Sequence, residues 1–179
     1  MAQLTPTAPT EFTPRDLRQA CGQFATGVTV VTVRDGDGAR GMTANSFTSV
    51  SLDPPLVLVS IDCRNRTHEI LTLGSPFVVN VLAEAQREWS DRFAGRHGDL
   101  QGAFEDVPHR LTDDGVPVLD GSLPVLHCRV DDIHPAGDHC LFIGRVERVE
   151  CAPGESPLLF FGGGYQVLAG RDEATARTA

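Results

Sequence analysis

The chain has 179 residues, of which 41% are hydrophobic and 22% are charged. This length fits a single domain with a core of its own. The formal net charge of −9 argues against nucleic acid as the main partner, because phosphate binding requires a basic surface. No apolar run reaches the roughly 18 to 20 residues of a membrane span, and the N-terminus lacks a secretory signal, so we expect a cytoplasmic protein without a membrane partner.

Five cysteines are scattered along the chain without a C-x-x-C pair, which favours neither a disulfide framework nor a zinc site. Because free cysteine is among the most buried residue types, we expect most of these thiols to be buried. His139 has no second histidine or cysteine at metal-ligand spacing, and the neighbours His127 and Cys128 would point to opposite faces of a strand. The sequence therefore predicts no metal site. The cysteines are Cys21, Cys63, Cys128, Cys140 and Cys151.

The two ends of the chain differ from its middle in composition. Residues 1–12 are rich in Thr, Pro and Ala, and residues 171–179 are polar, so neither end offers much to bury. We therefore expect two disordered tails around one folded domain that spans residues 13–170.

The first predicted element is a helix. Thr13 and Pro14 followed by Asp16 are typical of a helix start, with a capping hydroxyl and a carboxylate in the first turn. We expect this helix to end at Gly27. Four apolar residues recur at three- and four-residue spacing and predict one apolar face; they are Leu17, Ala20, Cys21 and Phe24.

The rest of the domain is dominated by apolar runs of strand length. Turn signals at 35–38 and 134–138 predict two hairpins, and residues 67–73 and 84–93 predict short helices. The stretch 96–121 lacks clean periodicity and is predicted to cross the surface rather than the core. Because strands and helices do not alternate, we expect a closed antiparallel barrel of six or seven strands with few helices. The strand runs are 28–33, 41–45, 56–61, 77–82, 125–133, 140–149 and 158–161.

Three segments have side chains that could carry chemistry. Residues 41–51 combine small side chains, hydroxyls and an amide, which lets a planar ligand approach the backbone, although the segment taken alone is more typical of an ordinary polar loop. Arg66 and Thr67 stand where a helix is predicted to begin, and could meet an anion or be solvated. His139 follows a predicted tight turn, where its ring could donate a hydrogen bond or be purely structural.

Two common enzyme signatures are absent from the sequence. There is no G-x-S-x-G motif, which leaves a hydrolase with a nucleophile elbow unsupported. The glycines at 162–164 follow a predicted strand but lead to Tyr165 rather than to a dinucleotide-binding fingerprint, so a Rossmann site is unsupported too.

Taken together, six blocks within residues 16–168 resemble the short-chain flavin reductases, the reductase components of two-component flavin-dependent monooxygenases such as phenol and 4-hydroxyphenylacetate hydroxylases. The resemblance implies a mainly β, Greek-key FMN-binding split barrel that forms a homodimer. It also implies an NAD(P)H-dependent enzyme that reduces FMN or FAD and supplies the reduced flavin to a monooxygenase. The blocks are FATGVTVVT at 24–32, GMTANSFTSVS at 41–51, LDPPLVLVS at 52–60, FVVNVL at 77–82, AGDH at 136–139 and PLLFF at 157–161.

The resemblance also implies roles for individual residues. It places the residues of the 41–51 block and of the strand after it along the flavin, from the ring to the ribityl and phosphate groups. It gives Arg66 and Thr67 the phosphate, and it makes Phe93 and Ala94 close over the flavin. The implied flavin-binding residues are Thr43, Ala44, Asn45, Ser46, Ser49, Ser51, Ser60, Ile61, Arg66, Thr67, Phe93 and Ala94.

The implied site for the nicotinamide nucleotide consists of His139, Gly163 and Tyr165. His139 is the catalytic position by resemblance, with the expected role of orienting the carboxamide rather than transferring a proton. Many members carry arginines where Gly162 and Gly164 stand here, and a phosphate usually binds arginine, so we expect NADH rather than NADPH. Two alternatives remain at this point: a split-barrel electron carrier without a nicotinamide site, and a dimeric interaction module that binds no flavin.

Overall fold

A computed structural model of the protein describes residues 11–96, 104–151 and 155–168. The predicted tail at 171–179 and all but the last two residues of the predicted tail at 1–12 lie outside these ranges. In the described part of the chain, no helix is long and apolar enough to cross a membrane.

The fold is built on a seven-stranded antiparallel sheet, which confirms the predicted mainly β architecture. The strands lie in the spatial order β3-β2-β6-β9-β10-β5-β4. β3 and β4 are therefore the two edge strands, yet only two residues separate them in sequence. The sheet must curl until its edges meet at this junction, as in a split barrel. The strands are β2 (Thr29–Asp35), β3 (Gly38–Ala44), β4 (Phe47–Leu52), β5 (Pro55–Asp62), β6 (Pro76–Val81), β9 (Pro124–Ala136) and β10 (His139–Cys151).

Smaller elements flank this sheet. A three-stranded sheet has the order β1-β11-β12, and β7 pairs with β8. The helices are short, as predicted. The flanking strands are β1 (Thr26–Gly27), β7 (His109–Leu111), β8 (Pro117–Leu119), β11 (Leu159–Phe161) and β12 (Gly164–Gln166), and the helices are α1 (Pro14–Cys21), α2 (Arg66–Ile70) and α3 (Arg87–Phe93), the last preceded by a single 3-10 turn (Glu84–Gln86).

The barrel core is closely packed around two phenylalanine side chains. Phe77 of β6 and Phe142 of β10 are fully buried within it. A Cβ atom on Gly144 would lie only 2.4 Å from the ring of Phe77, so the strand approaches that ring more closely than any other residue type allows. Also on β6, the buried side-chain amide of Asn80 donates to the Val30 carbonyl at 3.1 Å and accepts from the Leu119 backbone amide at 2.9 Å. Close packing and buried hydrogen bonds therefore both stabilise the core.

The first helix is correctly predicted at its start and wrongly at its end. Thr13 and Asp16 exchange hydrogen bonds in a capping box, and the helix ends at Cys21 rather than at Gly27. The expected apolar face is not covered by the described chain, in which no side chain of α1 is buried. Phe24 is 77% exposed.

Two further local predictions need correction. The helix predicted at 67–73 is α2, which begins one residue earlier and ends at Ile70, and it is capped by Asn65, whose side chain accepts from the Thr67 amide at 2.9 Å. The stretch 96–121 is not wholly a surface excursion, because Val116 and Val118 are buried against Val78 and Val125. Val116 and Val118 alternate around Pro117, as residues on one face of a short strand do. The many glycines and aspartates nearby favoured the prediction of a surface segment instead.

Candidate functional site

The candidate site begins at the junction where the sheet edges meet. β3 ends at Ala44 and β4 begins at Phe47, which leaves Asn45 and Ser46 to cross between the edges. The Ser46 hydroxyl donates to the Ser60 carbonyl at 2.7 Å, and the Ser60 amide donates to the Ser46 carbonyl at 3.2 Å. These bonds hold the junction against β5, so the residues predicted at 43–46 lie beside those predicted at 60–61.

A small cavity of about 140 Å³ opens on one side of this junction. Four residues predicted to bind nucleotides line it, namely Thr43, Asn45, Ala94 and Tyr165. The sequence reasoning missed Ser90, which organises this cavity. Its carbonyl accepts from the Thr43 hydroxyl at 2.7 Å, and its own hydroxyl oxygen lies 2.9 Å from the Tyr165 hydroxyl oxygen.

Tyr165 is held by charged groups that the sequence analysis did not consider. Its hydroxyl donates to the Asp91 carboxylate at 2.8 Å, and the guanidinium groups of Arg87 and Arg96 lie 4.9 Å and 5.6 Å from the ring centre. Partial burial raises the pKa of the Tyr165 phenol above its ordinary value of 10.0, so the group stays a hydrogen-bond donor at neutral pH. The side chain is fixed in orientation before any ligand binds.

A larger cavity of about 920 Å³ lies on the other side of Asn45, which lines both spaces. Gly163, predicted to meet the nicotinamide nucleotide, lines it, and so do Arg15 and Arg18 of α1. The sequence analysis expected few arginines beside this loop because it compared neighbouring positions in the chain only. The fold supplies two from the first helix.

The two residues predicted to bind the flavin phosphate, Arg66 and Thr67, lie in α2, shortly after the end of β5. Thr67 is fully buried, and its hydroxyl has no hydrogen-bond partner within the described ranges. The Arg66 guanidinium bonds to Glu69 at 2.7 Å and to Asp35 at 3.2 Å. These carboxylates raise the pKa of Arg66, and the hydrogen bond from Arg66 lowers the pKa of Asp35. Arg66 would have to exchange these partners to bind a phosphate.

His139 lies beside the end of β5 rather than beside Tyr165. It is the first residue of β10 and is paired with Asp62 of β5 across the sheet. Its Nδ1 atom lies 2.7 Å from the Asp138 carboxylate, and its side chain is partly exposed. Of the described residues that line the two cavities, none is His139. One chain therefore does not bring the three predicted nicotinamide contacts together.

The remaining predicted residues differ in their access to a ligand. Phe93 is fully buried, with its ring 5.0 Å from that of Phe104, so its side chain supports the cavity wall from behind. Ile61 is buried as well, which leaves its backbone as the group able to meet a ligand. Ser49 and Ser51 lie on edge strand β4, on either side of a register shift, with Ser49 exposed.

The structure also brings together three residues that the sequence analysis kept apart. The Cys63, His68 and Cys140 side chains form a cluster, contrary to the argument against metal-ligand groupings. The expected burial of most cysteines is wrong too, because Cys21, Cys63 and Cys151 are exposed and only Cys128 and Cys140 are buried. Spacing along the chain cannot reveal such a cluster, since Cys63 and Cys140 are 77 positions apart.

The cavity walls suit a flavin. Phe160 and Ala94 provide apolar surface, and Asn45 provides amide donors and an acceptor between the two spaces. In the larger cavity, the buried Thr26 hydroxyl has no hydrogen-bond partner among the described residues. A buried hydroxyl without a partner is costly, so a ligand with carbonyl or hydroxyl groups would satisfy it.

Comparison with solved structures defines the class of protein. The chain matches the NADH:FAD oxidoreductase SgcE6 of Streptomyces globisporus C-1027, in complex with NAD and FAD fragments, with a TM-score of 0.81 and 38% identity over 92% of this chain and 100% of that chain. The fold is that of a flavin reductase.

The family follows from sequence comparison. Residues 21–169 match the model described as flavin reductase like domain, and the chain belongs to this family. It is 46% identical to an NADH-dependent flavin reductase of Rhodococcus sp, over 91% of this chain and 92% of the relative. It is 38% identical to the reductase component of 4-hydroxyphenylacetate 3-monooxygenase of Thermus thermophilus, over 84% and 94% of the two chains. These findings confirm the resemblance inferred from the sequence blocks.

Proposed function

We propose that this flavin reductase oxidises NADH, reduces FMN or FAD, and supplies the reduced flavin to a separate monooxygenase in the cytoplasm. The observation that carries the proposal is the position of Asn45, which lines both cavities at the junction of the two sheet edges. A residue shared by two adjoining spaces is suited to a reaction between two ligands. The family and the monooxygenase reductase among its relatives support the same activity.

The chain's own residues bind and orient the ligands. Bound flavin supplies the hydride acceptor of the reaction. Thr43 and Asn45 would hold its ring, and the Ser46–Ser60 bonds fix the position of the segment that carries them relative to β5. Because the cofactors carry the reaction, these residues act by positioning, which holds reacting atoms roughly 3 to 3.5 Å apart. No side chain has to transfer a proton for this purpose.

The larger cavity provides a place for the nicotinamide nucleotide. Arg15 and Arg18 give it positive charge that suits a pyrophosphate, and Gly163 allows close backbone approach on the opposite wall. The Thr26 hydroxyl would find its missing partner there. NADH is the preferred donor, in keeping with the Rhodococcus relative. Arg15 and Arg18 partly replace the arginines that many family members carry at the positions of Gly162 and Gly164.

A homodimer would cover the apolar surface that one chain leaves exposed. Phe24 after α1 and Leu52 of edge strand β4 are 77% and 94% exposed, and Leu17 and Val50 add to the same two segments. Exposed apolar groups of this kind mark association surfaces. Light scattering after size-exclusion chromatography should give twice the chain mass of 19.2 kDa. A single chain mass at micromolar concentration would contradict the dimer.

Steady-state oxidation of NADH tests the function directly. We expect the purified protein to consume NADH only when FMN, FAD or riboflavin is added, and to use NADPH less efficiently. The same assay under anaerobic conditions should accumulate reduced flavin, and adding a flavin-dependent monooxygenase under air should divert it to hydroxylation. Flavin binding without NADH or NADPH oxidation would overturn the proposal and favour an electron carrier.

A further inference from the structure

Two cysteines and a histidine form a cluster that the proposed reaction does not use. Cys63 follows β5, His68 lies on α2, and Cys140 is the second residue of β10. Their sulfur atoms and an imidazole nitrogen all lie within 4.8 Å of one another. We call these three residues the Cys–His cluster.

The spacing within the Cys–His cluster matches one face of a zinc tetrahedron. The sulfur atoms of Cys63 and Cys140 are 3.8 Å apart, and Nε2 of His68 lies 3.2 Å from the Cys140 sulfur. Two zinc–sulfur bonds of about 2.3 Å at the tetrahedral angle place their sulfurs about 3.8 Å apart. A zinc-bound sulfur and nitrogen are separated by about 3.6 Å, so the imidazole lies a few tenths of an ångström too close to the Cys140 sulfur, and its distance from the Cys63 sulfur, which is within 4.8 Å, must reach the same value.

The fold holds these three side chains in place without a ligand. The antiparallel pairing of β5 with β10 brings the segment after Ile61 beside Cys140, and the Cys63 amide donates to the Asp138 carbonyl at 3.0 Å. The His68 ring packs edge-on against Phe142, with ring centres 5.8 Å apart. A site whose ligands are already oriented loses less entropy when it binds a cation.

The surroundings of Cys63 favour a cation over a disulfide. Reactive, easily oxidised thiols need positive surroundings that stabilise the thiolate. Here Cys63 lies between Asp62, its neighbour in the chain, and Asp138, whose carbonyl accepts from the Cys63 amide, and the cationic groups beside it, Arg64 and His139, are already paired with these two carboxylates. The same negative charge stabilises a bound divalent cation. Two sulfurs and an imidazole are the donors that select zinc rather than magnesium or calcium.

We propose that Cys63, His68 and Cys140 form a binding site for a thiophilic divalent cation of the zinc type, with water in the fourth position. Cys140 follows His139, and His68 follows Thr67, so a bound cation would tie together two segments of the candidate site. We expect Zn²⁺ to slow the reductase for this reason. That consequence rests on the proposed function, whereas cation binding does not.

Titration of the reduced, flavin-free protein with Co²⁺ tests the site without reference to activity. We expect a thiolate-to-cobalt absorption band in the near ultraviolet, tetrahedral cobalt bands in the red, and displacement of both by one equivalent of Zn²⁺. Cys63→Ser should remove the bands and weaken Zn²⁺ binding by more than the roughly 100-fold loss at an outer-shell partner. Affinity should fall at lower pH, because the thiols must lose their protons to bind.

Matched variants and labelling make the outcome decisive. Cys151→Ser changes an exposed cysteine outside the cluster and should bind Co²⁺ as the unmodified protein does. Zn²⁺ should protect Cys63 from alkylation in the native protein while Cys21 and Cys151 still react. His68→Gln provides a second test that leaves both thiols in place, and circular dichroism checks that each variant folds.

Three results would overturn the proposal. The first is the absence of cobalt–thiolate bands, and the second is the persistence of these bands in both Cys63→Ser and His68→Gln. The third is a disulfide between Cys63 and Cys140 in the protein as isolated under air. Tight Zn²⁺ binding with unchanged NADH oxidation would confirm the site and overturn only its link to the reductase reaction.

Discussion

The barrel core and the cavity side of this flavin reductase differ in how completely one chain satisfies its own groups. In the core, Asn80 is fully buried and uses both its amide donor and its acceptor, and Gly144 fits beneath Phe77 with no space to spare. On the cavity side, the Thr26 hydroxyl has no partner in the described chain, and the apolar residue Phe24 faces solvent. The barrel core satisfies its own groups within one chain, whereas the cavity side leaves polar and apolar groups without partners among the described residues.

Replacing Asn80 should have the largest effect and should fall on stability. Asn80→Ala leaves the Val30 carbonyl and the Leu119 amide without their buried partner, at a cost of about 3 kcal/mol. Urea unfolding measures the change in the free energy of unfolding. A loss below about 1 kcal/mol would show that other groups or water satisfy both backbone positions.

Adding a side chain at Gly144 should lower the free energy of unfolding somewhat less than Asn80→Ala does. The Cβ of Gly144→Ala would lie 2.4 Å from the Phe77 ring and 3.3 Å from the Cys128 Cβ, in a core that cannot easily yield. We expect a loss of about 2 kcal/mol in the free energy of unfolding. Gly27→Ala is the matched control, because nothing lies within 4 Å of its added Cβ. Equal stability of the two variants would contradict the close packing described for the barrel.

Changes to the predicted nicotinamide contacts should affect kinetics instead of folding. His139→Ala should raise the KM for NADH by about tenfold, equivalent to 1.4 kcal/mol, and leave flavin affinity within about twofold. His134→Ala is the control, since this histidine is also exposed and also pairs with an aspartate, at 3.0 Å. If both variants kept the original KM, His139 would have no role in binding the nicotinamide nucleotide.

The smallest expected effect belongs to the hydroxyl of Tyr165. Tyr165→Phe keeps the ring between Phe160 and the arginines but loses the bonds to Ser90 and Asp91. Since a net hydrogen bond contributes about 1 kcal/mol, we expect a roughly threefold to fivefold rise in the KM for NADH. A pure stability loss with unchanged KM would assign Tyr165 to the fold alone.

Local chemistry explains which parts of the fold the sequence could predict. The capping box of Thr13 and Asp16 and the hairpin turn at 35–38 depend on a few neighbouring residues, and both occur where expected. The buried valines Val116 and Val118 were missed because they pack against Val78 of β6, which is far away in the chain, as well as against Val125 of the nearby β9. Helix α1 was expected to bury an apolar face that no described residue covers.

The candidate site shows the same division. Residues 43–46 could be singled out because one continuous segment carries them and because its blocks resemble a known family. Ser90, Arg15 and Arg18 could not, since they reach the cavities from helices α3 and α1, and neither helix has a binding motif of its own. The cluster of Cys63 and Cys140 depends on the pairing of β5 with β10, which no local pattern encodes.

A crystal structure with FAD and NAD bound would test the central claim most directly. We predict that the flavin ring contacts Asn45 at the junction of the sheet edges and that the nucleotide occupies the larger cavity, where it pairs with the Thr26 hydroxyl. Flavin bound elsewhere, such as in the cavity that Arg110, Gly121 and Glu150 line, would contradict the claim that the meeting of the two sheet edges creates the active site.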